Sequence, residues 1–218
     1  MSSRSLAEQG ALLYLIGDGR APQRGGPALE ETDVADQIKV LGFAGSLRQG
    51  SYNKAALRAA LELAPADMSI ETFDLAPIQP YNEDVKQRGF PPPEQEFREK
   101  IRGADALLIV TPEYNRGVSG VLKNAIDWAS RPPDQPFNGK PAAIFGASPG
   151  MIGTAVAQFE LRRYLGVLNA LVMNTPGVMI GQAAAKFDEQ GRLTDEPTRK
   201  IIGQLLAALA DWTRRCGG

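Results

Sequence analysis

Histidine is absent from the 218 residues, and cysteine occurs once, as Cys216. Without histidine the chain has no Ser-His or Cys-His nucleophilic pair, no imidazole acid or base, and no histidine metal ligand. One cysteine excludes both an intrachain disulfide and a multi-cysteine zinc site. We therefore expect no metal centre, and the low cysteine content favours a reducing, cytoplasmic location.

An excess of charge of one sign is also lacking, since 24 Lys and Arg oppose 25 Asp and Glu for a net charge of -1. This balance predicts neither a nucleic-acid partner nor an anionic membrane partner. No apolar run approaches the roughly 18 to 20 residues that span a bilayer. The apolar run at residues 11–16 is short for the core of a signal peptide. We expect a soluble protein.

The length and the 43% hydrophobic content suffice for one domain with a substantial core. Residues 1–37 are rich in glycine, serine, alanine and charge, and we interpret them as a poorly ordered N-terminal extension or as an overlong start assignment. The predicted domain therefore covers residues 38–218.

From residue 38 onward, short β-rich runs alternate with apolar residues at helical spacing, a pattern typical of α/β folds. The predicted strands are residues 38–44, 69–73, 106–111, 141–147 and 170–173. The last helix begins near Glu196, with Pro197 in its first turn. The pattern predicts a doubly wound, five-stranded parallel sheet with helices on both faces. Its ligand crevice should lie at the carboxyl ends of the strands.

The loop after the first predicted strand reads GSLRQGSYN, residues 45–53. Glycines, short polar side chains, the cation of Arg48 and the start of a helix together favour a bound phosphate. A P-loop is excluded because Ser51-Tyr52 stands where Lys-Ser/Thr is needed, and the dinucleotide motif G-x-G-x-x-G is also absent. A terminal monophosphate fits better. The alternative is an ordinary turn in which Ser51 or Asn53 only caps the helix.

Two further loops follow the third and fourth predicted strands, at residues 112–117 and 148–153. In the second loop Tyr114 offers a ring for stacking, and the neighbouring backbone can bond the edge of a planar heterocycle. The alternative is an ordinary proline turn. In the third loop Gly150 and Gly153 allow a ligand to approach the backbone closely, although Gly153 alone can simply start the next helix.

Together, GSLRQGSYN, PEYNRGVSGVLKNAIDW (residues 112–128) and GASPGMIGT (residues 146–154) resemble the NADPH-dependent FMN reductase family. The resemblance extends from Ile38 to about Trp212. It is strongest to the flavodoxin-like branch of chromate, quinone and azo-dye reductases, and it implies a flavodoxin-like fold that binds FMN. It implies three groups of cofactor-binding residues: Ser46, Arg48, Ser51 and Asn53 at the phosphate; Pro112, Glu113, Tyr114 and Asn115 at the isoalloxazine; and Ser148 and Gly150 in the third loop.

The resemblance further implies that hydride passes from NADPH or NADH to bound FMN and then to a small acceptor. That acceptor is a quinone, chromate, an azo or nitro compound, or free flavin. Because the flavin carries the hydride, no catalytic side chain is nominated. Residues 116–120 are smaller and more basic than the aromatic or aliphatic continuation of this branch, so no substrate contact is assigned there.

Two other functions are disfavoured by the sequence. A flavodoxin-like, non-enzymatic electron carrier is disfavoured because flavodoxins usually hold phosphate with a neutral loop and cover the ring with aromatics. This chain instead has Arg48 and an aromatic-free loop at residues 147–153. A redox sensor or interaction module that has lost its flavin is disfavoured by the intact phosphate loop.

The predicted helix at residues 119–130 carries a wide apolar arc, formed by Val121, Leu122, Ala125, Ile126 and Trp128. The pattern is compatible with a subunit interface and equally with an internal helix. The family resemblance favours a homodimer or homotetramer with each flavin near the interface, and Tyr81 and Asn82 then facing a neighbour's flavin.

Overall fold

The computed structural model describes residues 37–217, so the predicted N-terminal extension lies outside the described residues except at its last position. In chain order the elements are β1 (Ile38–Ala44), α1 (Tyr52–Glu62), β2 (Met68–Phe73), α2 (Glu83–Lys86), α3 (Pro92–Gly103), β3 (Ala106–Val110), β4 (Glu113–Tyr114), β5 (Gly117–Val118), α4 (Gly120–Ala129), β6 (Pro141–Ala147), α5 (Ala155–Val167), β7 (Leu171–Val172), β8 (Val178–Ile180) and α6 (Glu196–Gly217). A single 3₁₀ turn, Ala183–Ala185, follows β8.

The main sheet is parallel throughout, in the order β2-β1-β3-β6-β7, with β8 also paired to β6. The fifth position is therefore shared by two short strands. β7 pairs with the start of β6 and β8 with its end. The predicted fifth strand, residues 170–173, is shorter than expected and β8 was not predicted. Thr175-Pro176-Gly177 separates the two, and proline lacks the N–H that a continuous ladder requires.

Helices cover both faces of this sheet, which confirms the predicted flavodoxin-like, doubly wound architecture. Every residue of β3 and β6 is buried, because these central strands have helices on both sides. α1 and α6 cover one face, and α3, α4 and α5 cover the other. On the second face Phe97 meets Phe43 edge to face, with ring centroids 5.2 Å apart. Each such fully buried side chain contributes about 1.5–3 kcal/mol to folding.

The apolar arc of α4 packs inside the domain, with four of its five side chains buried and Val121 partly buried against the same core. Leu122, Ala125 and Trp128 have no exposed surface, and Ile126 is 2% exposed. The Trp128 ring packs against Tyr81 at a centroid distance of 4.9 Å, and its indole N–H donates to the carbonyl of Gln79 at 2.8 Å. The internal-helix alternative is therefore the one observed. These buried side chains are not available to a second subunit.

Within residues 37–217, no helix is both long enough and apolar enough to cross a membrane. The longest helix, α6, carries charged residues in its first and last turns.

The close contact between β6 and the end of β3 requires glycine at position 146. A Cβ there would lie 2.0 Å from the carbonyl oxygen of Thr111, whereas a Cβ on Gly203 in α6 would meet no atom within 4 Å. We expect Gly146→Ala to destabilise the fold by about 2 kcal/mol through overpacking. Gly203→Ala should stabilise it by about 0.5–1 kcal/mol through helix propensity. Urea midpoints of the two variants check this, and similar midpoints would contradict it.

Candidate functional site

The first loop places unbonded backbone amides at the start of α1. Within the described residues, the N–H groups of residues 46–50 donate to no backbone carbonyl. Ser51 is the N-cap of α1, and its hydroxyl accepts from the amides of Asn53 at 3.2 Å and Lys54 at 3.4 Å. The capping alternative is thus observed for the Ser51 hydroxyl. The first turn of α1 has no acidic residue, so its positive end is free to attract an anion.

Two side chains of this loop differ in exposure. Ser46 is buried at 4% exposure, while Arg48 is exposed. The Arg48 guanidinium donates to the carbonyl of Gly50 and lies 5.6 Å from the ring centroid of Tyr52. The Arg48 side chain therefore folds back over the backbone of its own loop and places a permanent positive charge at the edge of that loop.

Asn53 joins the first loop to the third. Its Nδ2 donates to the carbonyl of Ala147 at 2.9 Å, and its Oδ1 accepts from the amide of Ala147 at 2.8 Å. Asn53 is 4% exposed, so water competes little for these bonds. The side-chain amide thus ties the start of α1 to the last residue of β6.

The second loop is a β-hairpin, which the sequence reasoning had treated as a turn. β4 and β5 pair in antiparallel fashion, with Tyr114 opposite Gly117. Asn115 and Arg116 between them have φ of 51° and 61°. Two successive left-handed residues are typical of a type I′ turn, where the second position favours glycine. Tyr114 is left 54% exposed at the edge of the site.

The carboxylate of Glu113 turns away from the first loop and caps α5. Its Oε2 accepts from the amides of Val156 at 3.0 Å and Ala157 at 3.1 Å, while the N-cap Thr154 makes no side-chain capping bond. The positive end of α5 stabilises this negative charge. The other carboxylate oxygen of Glu113 lies 3.7 Å from the Arg116 guanidinium.

A second glutamate, Glu160 on α5, accepts a hydrogen bond from the hairpin. The Oε2 of Glu160 accepts from the amide of Val118 at 2.8 Å, and its Oε1 accepts from the Tyr164 hydroxyl. The Tyr164 hydrogen bond, followed by that of Val118, lowers the pKa of Glu160, and the same contact raises the pKa of Tyr164. Both shifts favour an ionised Glu160 beside a neutral tyrosine.

The third loop is held by β8 and the residues after it. The Ser148 amide donates to the carbonyl of Ile180 at 2.9 Å, and the Ser148 hydroxyl accepts from the amide of Gly150 at 3.0 Å. A Cβ on Gly181 would lie 2.1 Å from the carbonyl oxygen of Met151. Only glycine allows this approach. Because β8 was not predicted, this support could not be anticipated.

The three loops enclose a cavity of about 380 Å³ at the carboxyl ends of the strands. Its lining includes eight of the ten predicted site residues: Ser46, Arg48, Ser51, Asn53, Pro112, Glu113, Tyr114 and Ser148. The other two, Asn115 and Gly150, belong to the same loops but do not line it. A larger cavity of about 650 Å³ lies beside the amino end of β1. We favour the smaller one because open α/β sheets bind ligands at their carboxyl ends.

Sequence reasoning missed Ala147 and Pro149, which line the cavity, and two further contributors, Tyr52 and Ser119. Tyr52 lines the cavity and packs against Phe187 at a centroid distance of 5.5 Å. Its position as the first residue of α1, directly after the polar loop, was the available signal. The hydroxyl of Ser119 donates to the carbonyl of Gly45 at 2.6 Å and so joins the first loop to the start of α4. The serine before a helical pattern indicated a cap but not this second bond.

Comparison with known proteins gives a consistent result. Residues 38–185 match the model of a family described as NADPH-dependent FMN reductase. An NAD(P)H-dependent FMN reductase of Pseudomonas aeruginosa is 59% identical over 185 residues, which cover 85% of this chain and 100% of that protein. A quinone reductase of Escherichia coli K12 is 43% identical over 185 residues, covering 84% and 98% of the two chains.

Among solved structures, the chain is similar to FerB, a flavoenzyme NAD(P)H:acceptor oxidoreductase from Paracoccus denitrificans. The TM-score is 0.75 at 36% sequence identity, and the match covers 82% of this chain and 98% of FerB.

Proposed function

The chain belongs to the NADPH-dependent FMN reductase family, and we propose that the three-loop cavity is where it binds FMN and reduces a quinone-type acceptor. The protein is an NAD(P)H-dependent oxidoreductase that uses FMN, as the resemblance seen in its sequence had implied. We infer the binding residues from the geometry of the cavity and the acceptor from the quinone reductase among the relatives.

The first loop suits the FMN phosphate. It combines the hydroxyl of Ser46, the cation of Arg48 and the positive end of α1. It also offers the amides of residues 46–50, which donate to no backbone carbonyl within residues 37–217. The one carboxylate among the cavity residues, that of Glu113, is bound to the amides at the start of α5. A phosphate in the first loop therefore meets a cation and amide donors without a carboxylate competing for them. This arrangement is the observation that carries the proposal.

The ring of FMN would lie between the hairpin and the third loop. Tyr114 lines this cavity with about half of its surface exposed, and Ser148 and Pro149 of the third loop line it as well. Bound FMN supplies the hydride-transfer chemistry. The residues of the chain bind and orient it, and none of them needs to act as an acid or base. This suits a chain without histidine.

A quinone is our preferred acceptor because the Escherichia coli relative, 43% identical, is a quinone reductase. The third loop, residues 147–153, has no aromatic side chain that would cover a bound ring. A non-enzymatic electron carrier is the competing function. It is disfavoured because the chain belongs to a family of NADPH-dependent reductases.

We expect NADPH or NADH to bleach the visible absorbance of the FMN-loaded protein under anaerobic conditions. Adding a benzoquinone should then restore it. Stopped-flow absorbance measures both steps. If neither nucleotide bleached the flavin while dithionite did, the reductase function would be wrong and a carrier would be favoured.

The phosphate assignment predicts that Arg48→Ala weakens FMN binding by about 1.5–3 kcal/mol, the usual contribution of a charge-assisted hydrogen bond. Arg88→Ala is the matched control because it removes the same charge from an exposed site beyond α2. Quenching of FMN fluorescence measures both affinities. Equal affinity in the two variants would exclude Arg48 from the phosphate site.

We also propose that the protein forms a homo-oligomer through an apolar patch beside the site. The patch comprises Met151, Ile152, Val156, Phe159 and Met179, with exposures of 85%, 48%, 36%, 68% and 42%. These residues surround the start of α5, where Gly153 packs against the backbone of Met179. A cluster of exposed large apolar side chains is typical of a protein interface. The apolar residues of α4, the alternative interface considered from the sequence, pack inside the domain. A second copy of the chain is the partner we infer.

Phe159→Asp should therefore convert the oligomer to a smaller species, because a desolvated carboxylate in an apolar interface is costly. Val167→Asp is the control, as Val167 is 83% exposed on the same helix but two turns beyond the patch. Sedimentation velocity compares the variants with the wild type. A wild-type monomer, or a Phe159→Asp variant with wild-type mass, would reject the interface.

A further inference from the structure

The β4–β5 hairpin has little stability of its own. Its ladder consists of two residue pairs, Glu113 with Val118 and Tyr114 with Gly117. Its turn contains two left-handed residues that are not glycine, Asn115 and Arg116. Such residues cost on the order of 1–3 kcal/mol each and persist only where the surroundings hold them. An isolated two-stranded hairpin is marginally stable at best in water. The orientation of Tyr114 must therefore be set from outside the hairpin.

Two carboxylates on opposite sides of one interface supply that support. Glu113, on the first strand, bonds the amides at the start of α5. Glu160, on α5, bonds the amide of Val118 on the second strand. Each strand of the hairpin is thus hydrogen-bonded to α5 through one glutamate. Gly117 allows the close approach, since a Cβ there would lie 2.9 Å from the Oε2 of Glu160.

The carboxylate of Glu160 is itself held in place. It accepts from the Tyr164 hydroxyl one turn further along α5, and the Arg163 guanidinium lies 3.9 Å away. The Tyr164 ring packs against the core, with the Lys123 ammonium 5.5 Å from its centroid. A continuous set of contacts therefore runs from the core through Tyr164 and Glu160 to the hairpin.

We propose that Glu160 is a positioning residue for the FMN ring, which it serves by fixing the hairpin that carries Tyr114. Glu160 does not line the cavity, so it acts through the Val118 amide rather than by touching the cofactor. The inference rests on the proposed function, because it assumes that the ring lies against this hairpin. Glu113 already belongs to the proposed site, whereas no motif in the sequence had assigned a role to Glu160.

The test compares Glu160→Ala, Glu160→Gln and Tyr164→Phe with the wild type. Glu189→Ala is the control, since Glu189 is exposed and remote in sequence from α5 and the hairpin. The first measurement is amide hydrogen exchange of the FMN-free protein. We expect exchange in residues 113–118 to be faster in Glu160→Ala and nearer the wild-type rate in Glu160→Gln, whose side-chain carbonyl can still accept from Val118. Tyr164→Phe should give a smaller increase.

The second measurement is FMN affinity together with the visible circular dichroism of the protein saturated with FMN. Glu160→Ala should bind FMN about tenfold more weakly, the equivalent of one lost hydrogen bond. The visible circular dichroism of Glu160→Ala saturated with FMN should also differ from that of the wild type, because the FMN ring would contact a displaced Tyr114. Glu160→Gln should restore much of both properties. A purely structural role would lower the melting temperature yet leave the saturated spectrum unchanged.

The outcomes separate this inference from the function on which it rests. Wild-type exchange and a wild-type saturated spectrum in Glu160→Ala would overturn the positioning role while leaving FMN binding intact. A wild-type protein that did not bind FMN would overturn both. If Glu160→Ala did not fold, Tyr164→Phe would decide, because it should still give a smaller increase in exchange. Wild-type exchange and a wild-type saturated spectrum in Tyr164→Phe would then reject the proposal.

Discussion

The site depends on the two hydrogen bonds by which the side chain of Asn53 joins the backbone of Ala147. Parallel strands end together at one edge of a sheet, and the loops leaving that edge need partners for their polar groups. Asn53 provides a donor and an acceptor at once, so α1 and the end of β6 are held in a single arrangement. Because the bonds are buried, losing one partner would leave the other unsatisfied at considerable cost.

Similar hydrogen bonds between side chains and backbone groups connect the remaining loops. Ser119 joins the first loop to α4, and Glu113 joins the second loop to α5. The cavity is therefore shaped by polar side chains bonded to backbone groups of neighbouring loops. Such preorganisation lowers the entropy lost when a cofactor binds. It also explains why a residue in a binding motif can serve mainly to support the site.

The distribution of charge around the cavity follows from the same contacts. Glu113 lines the cavity, yet its carboxylate is bound by the start of α5, whereas Arg48 remains exposed at the first loop. A chain whose net charge is -1 thus has a locally positive surface at the proposed phosphate site. Placement of the carboxylates, rather than their number, sets the local potential.

The α/β class, the strands of the central sheet and the loops that line the cavity could all be predicted from the amino-acid sequence alone. Hydrophobic periodicity and glycine-rich turns are local properties, and the three motifs together are specific to one family. Tertiary structure decided which partners each polar side chain found: Asn53 bonds Ala147, 94 positions away, and Glu160 bonds Val118, 42 positions away. It also buried the apolar arc of α4 and placed β8 beside β6 after an interruption at Pro176. No local pattern encodes these contacts, because each depends on where two distant segments meet once the sheet has formed.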